Sequence, residues 1–74
     1  MPKQDSTARQ GSHFWVMTLE IPGAMVSTNY GTYTPPAAWT RFDTFTAIRR
    51  ELADQQPQMA SANVTYFALE PNQL

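Results

Sequence analysis

The sequence predicts a small α+β domain with the element order ββαβ. Three patterns predict this class: two segments rich in strand-forming residues, one segment with apolar residues at spacings of three and four, and a final alternating segment ended by proline. Hydrophobic residues make up 42% of the 74 residues, which argues against wholesale disorder. We expect a single domain over residues 13–74. Residues 1–12 carry no large apolar side chain except Met1 and are expected to form a disordered tail.

The first strand is predicted over residues 13–21, where side chains alternate between two faces. Pro22 and Gly23 then favour a turn, because proline presets φ and glycine accepts a positive φ. A two-residue type II turn would splay the hairpin, so we expect a slightly longer connection. One face of this strand carries Trp15, Met17, Leu19 and Ile21, and the other carries Phe14, Val16, Thr18 and Glu20.

The second strand is predicted over residues 24–34, which are rich in Thr, Tyr and Val. Gly31 interrupts it, and a glycine inside a strand often marks a bulge that changes which side chains face the core. The sequence therefore leaves open whether Tyr30 or Tyr33 points inward. A Pro-Pro pair ends the strand, because proline cannot donate to a ladder.

The helix is predicted from about Arg41 to Gln56. Thr40 followed by Asp43 is typical of a helix start, since the hydroxyl accepts from the N3 amide and the acid suits the positive helix end. An N-cap at Thr34 with proline at N1 is the alternative. At the edge of the apolar stripe, the head of Arg49 is expected to reach water. The stripe expected to face the sheet consists of Phe42, Phe45, Ile48 and Leu52.

The third strand is predicted over residues 63–70, after a connection at 58–62 with room for one helical turn. Because a helical crossover makes strands two and three parallel, strand one is expected between them. The result is a three-stranded antiparallel sheet in the order 2-1-3, with the helix packed on one face. In strand three, alternation places Val64, Tyr66 and Ala68 on one face and Thr65, Phe67 and Leu69 on the other.

Composition and charge exclude several classes of function. The absence of cysteine excludes a disulfide framework and a thiolate metal site. No apolar run approaches the ~20 residues that span a bilayer, and because the N-terminus has no apolar h-region we expect no secretory signal. Five basic residues against six acidic ones form no basic footprint for nucleic acid. We expect a cytoplasmic protein that makes no membrane contact.

Side chains suited to catalysis or metal binding are few and scattered. The single histidine, His13, begins a predicted strand, and no His-x-x-x-His or Glu-x-x-His spacing exists. Asp43 is explained by the helix start, and the three glycines are too far apart to form a phosphate-binding loop. We therefore expect a non-enzymatic protein with no catalytic residue, no cofactor and no bound metal.

Three short motifs resemble a group of short uncharacterised actinobacterial proteins. They are Gly-Thr-Tyr-Thr-Pro at 31–35, Thr-Arg-Phe-Asp at 40–43 and Phe-Ala-Leu-Glu-Pro-Asn at 67–72. The resemblance extends from His13 to the C-terminus. It implies no activity and transfers no functional residue to this chain.

The predicted sheet has more apolar surface than one helix can cover. An exposed apolar face usually marks an interaction surface, so we expect the protein to form a homo-oligomer or to bind a protein partner. Single-stranded nucleic acid, stacked on aromatic residues of the sheet, is the alternative partner. Another alternative is that the two prolines and Trp39 fold across the second face. The candidate interaction face consists of Phe14, Val16, Val64 and Tyr66.

Overall fold

A computed structural model describes residues 10–74 and confirms the predicted fold class. Strands β1 (His13–Ile21), β2 (Met25–Tyr33) and β3 (Asn63–Pro71) form one sheet in the order β2-β1-β3. β1 is antiparallel to both neighbours, and helix α1 (Arg41–Gln55) packs on one face. Within residues 10–74, no helix is long and apolar enough to cross a membrane. The disordered tail predicted over residues 1–12 falls mainly on residues 1–9, which lie outside the described residues.

The described chain is hydrogen-bonded to the sheet before β1 begins. The Gly11 N–H donates to Thr32 Oγ1 (2.9 Å), and the Ser12 N–H donates to Thr34 Oγ1 (3.1 Å). On the other side, the Asn72 N–H donates to the Ser12 carbonyl (2.8 Å). This bonding starts three residues before the predicted start of the domain, because the Asn72 side chain also donates to Gln10 Oε1 (2.8 Å).

The β1–β2 hairpin turns through three residues, in agreement with the expected connection. The Ala24 N–H donates to the Ile21 carbonyl (2.9 Å), with Pro22 and Gly23 at the central positions. Gly23 has a φ of 76°, as the second central residue of a type II turn requires. Glycine adopts this conformation without the steric cost that a Cβ would add.

Gly31 lies in a regular part of the β1–β2 ladder, so it forms no bulge. Its partner across the ladder is Trp15, and the register runs without a shift. A Cβ at position 31 would lie 3.2 Å from the indole, so glycine leaves room for the ring. The regular register also determines which of the two tyrosines points toward the core. Tyr33 packs against the core, whereas Tyr30 lies on the uncovered face and is 75% exposed.

The irregularity of the sheet lies in β3. Thr18 pairs with Tyr66 and Leu19 pairs with Val64, so Thr65 is an extra residue in the ladder. An inserted residue reverses the face of every side chain beyond it. Val64 therefore lies on the helix side and packs against the core. Its predicted place on the uncovered face is wrong.

Helix α1 begins at the predicted residue, directly after Thr40. The Asp43 N–H donates to Thr40 Oγ1 (3.1 Å), and the Thr40 N–H donates to the Asp43 carboxylate (3.0 Å). These reciprocal bonds form a capping box that satisfies two otherwise unpaired donors. The alternative start at Thr34 is wrong.

Replacing Thr40 with alanine is expected to lower the free energy of unfolding by about 1 kcal/mol, because the Asp43 N–H loses its acceptor. Urea denaturation followed by circular dichroism measures the loss. The matched control is Thr40→Ser, which retains a hydroxyl and is expected to stay close to the wild type. Equal losses in the two variants would show that the hydroxyl is not the capping group.

The buried side of α1 is rotated away from the predicted stripe. Ile48 and Leu52 are buried as predicted, and Phe45 is half-buried, but Phe42 is 71% exposed. Thr44 takes the remaining buried position, because its hydroxyl donates to the Thr40 carbonyl (3.1 Å) and leaves no unsatisfied donor. The prediction that Phe42 faces the sheet is wrong.

The connection between α1 and β3 completes the core. It contains a short 3-10 helix (Pro57–Met59), whose Met59 side chain is fully buried. The Arg49 guanidinium donates to the carbonyls of Ala60 (3.1 Å) and Ala62 (2.7 Å) and so holds this connection against α1. The position of Arg49 at the edge of the apolar stripe does not predict these two bonds. The buried hydrophobic cluster comprises Trp15, Met17, Leu19, Ile48, Leu52, Met59, Ala62 and Leu69.

Candidate interaction surface

The sheet face opposite α1 is the candidate interaction surface. We call it the open face, and it consists of Phe14, Val16, Thr18 and Glu20 together with the residues opposite them in β2 and β3. Within residues 10–74, no helix packs on this face. Its side chains therefore meet solvent wherever neighbouring strands do not shield them.

Three of the four residues predicted for the interaction surface lie on the open face. Phe14 is 41% exposed, Tyr66 is 57% exposed, and Val16 is half-buried between neighbouring strands. Val64 is absent because the bulge at Thr65 turns it to the helix side. Tyr30 joins the other three, in the ladder position directly opposite Val16.

The open face is uncharged at its centre and charged at its two ends. No charged residue occurs in the two central rows, which cross the sheet through Val16 and Thr18. The hydroxyls of Thr18 and Thr28 lie 3.0 Å apart and satisfy each other. Glu20 and Glu70 lie in the two outer rows. The central rows are Tyr30–Val16–Ala68 and Thr28–Thr18–Tyr66.

The arginines that the structure describes all belong to α1, on the opposite side of the sheet. Arg41 donates to the Leu69 carbonyl (3.0 Å), and Arg49 is bound to the connection after the helix. Arg50 is exposed on the helix surface. In residues 10–74, therefore, the only formal charges that the open face carries are those of its carboxylates.

The segment between β2 and α1 lies on the helix side of the sheet. Trp39 stacks on Tyr33 with ring centroids 6.3 Å apart and an interplanar angle of 23°. Because Tyr33 packs against the core, Trp39 lies on the same side. Pro35 and Pro36 line a shallow groove with Trp39 there. The alternative in which the prolines and Trp39 cover the second face is wrong.

A second exposed apolar feature lies between α1 and β3. Phe42 stacks on Phe45 with centroids 6.2 Å apart, and Phe45 meets the edge of Phe67 at 5.1 Å. The exposed Phe42 thus extends an aromatic row that begins on the sheet. The spacing of apolar residues along α1 does not predict this arrangement, because the spacing does not determine how the helix is rotated about its own axis relative to the sheet.

His13 lies at the start of β1, and its Nδ1 is 2.8 Å from Ser12 Oγ. Over residues 10–74, no group of three or more His, Asp or Glu side chains is placed to hold a metal ion.

Comparison with known proteins finds no matching family model, no matching curated protein and no matching solved structure. The resemblance to short actinobacterial proteins stays a prediction.

Proposed function

We propose that the protein is a small non-enzymatic interaction domain that associates with a second copy of itself through the open face. The uncharged centre of that face, built around Val16 with Tyr30 and Tyr66, is the observation that carries the proposal. Interfaces between proteins are depleted of charge at the centre and polar at the rim. We further propose that the protein is cytoplasmic and that it is related to the short actinobacterial proteins that its motifs resemble.

Electrostatics favour a second copy over a nucleic acid. A phosphate backbone placed along the open face would run past Glu20 and Glu70 and would meet no cation from the described residues. Nucleic-acid affinity depends on neutralising phosphates with Lys and Arg. A second copy instead offers an uncharged centre, and a two-fold axis through the central rows places like surfaces together.

The size of the open face limits the strength of this contact. Three strands of nine residues, at about 3.3 Å per residue and about 4.8 Å between strands, cover roughly 400 Å². Two such faces bury roughly 800 Å² in total, less than the ~1,200 Å² at which stable interfaces begin. A contact between two single faces is therefore expected to dissociate at micromolar concentrations.

Val16→Lys combined with Tyr66→Glu is expected to reduce self-association, because it places charge in the desolvated centre. Sedimentation equilibrium from tens of micromolar to millimolar protein measures the effect. The wild-type average mass should rise with concentration, and the variant should remain smaller at each concentration. Gln58→Lys combined with Ala60→Glu is the matched control, because it introduces the same charges at exposed positions of the connection.

Two results would contradict the proposal. One is a wild-type mass that stays monomeric at every concentration. The other is an equal mass for the double variant and its control, with both shown to be folded by circular dichroism. Self-association should also persist in 1 M salt, which screens charge but strengthens apolar contact. Binding of single-stranded DNA that disappears with added salt would instead support the nucleic-acid alternative.

A further inference from the structure

We propose that two copies first join along β2, so that their sheets form one continuous six-stranded antiparallel sheet. This inference rests on the proposed self-association and names the strand at which it begins. The second copy is the occupant of the β2 edge, and the open faces of the two copies become one surface.

Among residues 10–74, nothing at the outer edge of β2 supplies the features that normally prevent strand pairing. Met25–Tyr33 contains no charged residue and no proline, and its ladder with β1 has no register shift. In residues 10–74 no further strand pairs with it, so the backbone groups on its outer side have no ladder partner. Long, regular and uncharged edges are the ones that recruit a further strand.

The outer edge of β3 is protected in three ways. Thr65 interrupts its ladder as an extra residue, and Pro71 ends the strand without an N–H to donate. The Arg41 guanidinium also donates to the Leu69 carbonyl (3.0 Å) and occupies a backbone acceptor of the strand. Bulges, prolines and charged side chains are established means of blocking an edge. The two edges of the sheet therefore differ, and β2 is the one suited to pairing.

Helix α1 leaves the β2 edge accessible. A shallow groove separates the helix from the strand and is lined by Asn29, Leu52 and Gln55 among others. The Gln56 side chain reaches across and donates to Asn29 Oδ1 (2.9 Å). This bond engages a side chain on the helix side and leaves the main chain of the outer edge free to pair.

Pairing two identical antiparallel strands around Asn29 gives the longest overlap, since Asn29 is the middle residue of β2. In that register Thr28 of one copy lies opposite Tyr30 of the other, and Val26 lies opposite Thr32. Opposed residues in an antiparallel ladder lie on the same face, so each pair extends the open face across the two-fold axis. β-Branched residues opposite an aromatic or another β-branched residue are favourable cross-strand pairs.

Edge pairing also enlarges the open face, which in a single copy is too small to form a stable interface. Two joined copies present an open face of roughly 800 Å², twice the area derived from the strand dimensions. When two such sheets stack, the contact buries roughly 1,600 Å² in total, which is the size of a standard stable interface. Pairing along β2 and stacking of open faces therefore lead to an assembly of four copies.

Disulfide cross-linking tests the register, because the chain contains no cysteine of its own. Thr28→Cys and Tyr30→Cys are purified separately, mixed and treated with oxidised glutathione. Directly opposed residues lie about 5 Å apart between Cα atoms, within disulfide range, whereas two copies of position 28 lie about 8 Å apart. The mixed disulfide should form at least about tenfold faster than either single-variant disulfide, as resolved by mass spectrometry.

The control pair, Tyr66→Cys with Ala68→Cys, has the same spacing on the blocked β3 edge and is expected to cross-link no faster than its single variants. Stacked sheets lie about 10 Å apart and share no ladder register, so face-to-face contact alone gives no tenfold preference for the mixed β2 disulfide. A mixture of the β2 variants that reacts no faster than each variant alone would overturn β2 pairing. The same result is expected if residues 1–9 of the same chain cover the β2 edge, and it overturns β2 pairing in that case as well.

The cross-link is repeated in the Val16→Lys, Tyr66→Glu background to separate the two proposals. A retained β2 cross-link with a mass reduced from four copies to two supports both of them. A retained cross-link with an unchanged mass supports β2 pairing and contradicts the open face as a contact surface. Loss of the cross-link in both backgrounds, with a concentration-dependent wild-type mass, overturns β2 pairing and leaves the proposed function standing.

Discussion

Replacing Leu52 with alanine is expected to lower the free energy of unfolding by about 2–5 kcal/mol, because the change leaves a cavity in a closely packed core. Leu52 is 4% exposed and lies on the buried side of α1 with Ile48, facing the sheet. A domain of this size has a total stability on the order of 5 kcal/mol, so the variant should be close to unfolding at room temperature. Urea denaturation followed by tryptophan fluorescence measures the loss.

The matched control is Phe42→Ala in the same helix. It removes a larger side chain, but Phe42 is 71% exposed, and exposed positions usually change stability by no more than about 0.5 kcal/mol. The loss of its stacking contact with Phe45 adds a small further cost. A greater loss for Phe42 than for Leu52 would mean that α1 presents the stripe predicted from its periodicity rather than the observed side.

Met59→Ala is expected to cost about 2–5 kcal/mol, an effect as large as that of a core residue in a strand. The side chain is fully buried although it belongs to a connection between two larger elements. Removing it leaves a cavity where the connection closes the core, next to the carbonyls that Arg49 binds. The urea midpoint of the variant should fall with little change in the slope of the transition.

Gln58→Ala is the control for Met59, since it alters the preceding, exposed residue of the same 3-10 helix. It is expected to stay within about 0.5 kcal/mol of the wild type. Should Met59→Ala be equally mild, the connection would be peripheral to the core, and local fraying rather than global unfolding would follow its loss.

The elements predicted correctly from the sequence are those determined by neighbouring residues. Alternation over residues 13–21 identifies β1, and the Thr40–Asp43 pair identifies the helix start, because both patterns act within a few positions of the chain. The strand order follows from the connections, since a helical crossover makes β2 and β3 parallel and leaves β1 to pair with both.

The features that the sequence did not reveal depend on tertiary partners. Nothing near Thr65 identifies it as the extra residue, because a bulge is defined by the pairing of two strands. Thr44 counts as polar in any hydropathy pattern, yet its bond to the Thr40 carbonyl allows it to replace Phe42 on the buried side. Both errors concern the direction of a side chain within a correctly predicted element.

The candidate site was partly predicted for the same reasons. The alternation predicts the correct face for Phe14, Val16 and Tyr66, because β1 alternates strictly and the residues of β3 after the bulge keep the expected alternation. Val64 lies before the bulge, so the alternation predicts the wrong face for it. The sequence does not determine which way Tyr30 points, because the role of Gly31 depends on the Trp15 ring, which approaches from the neighbouring strand.

The hydrogen bond from Arg41 to the Leu69 carbonyl limits how many copies can join edge to edge in the proposed assembly. A protein whose sheet can pair at both edges can add a further copy at each edge. Such pairing continues without end and produces a filament. In the proposed pairing, each copy has a single pairable edge because β3 is blocked, so the first β2–β2 contact occupies the pairable edges of both copies. In the proposed assembly, the guanidinium that holds the first turn of α1 against β3 therefore limits growth, because it blocks the second edge at which an uncharged, regular strand could otherwise lead to fibrils.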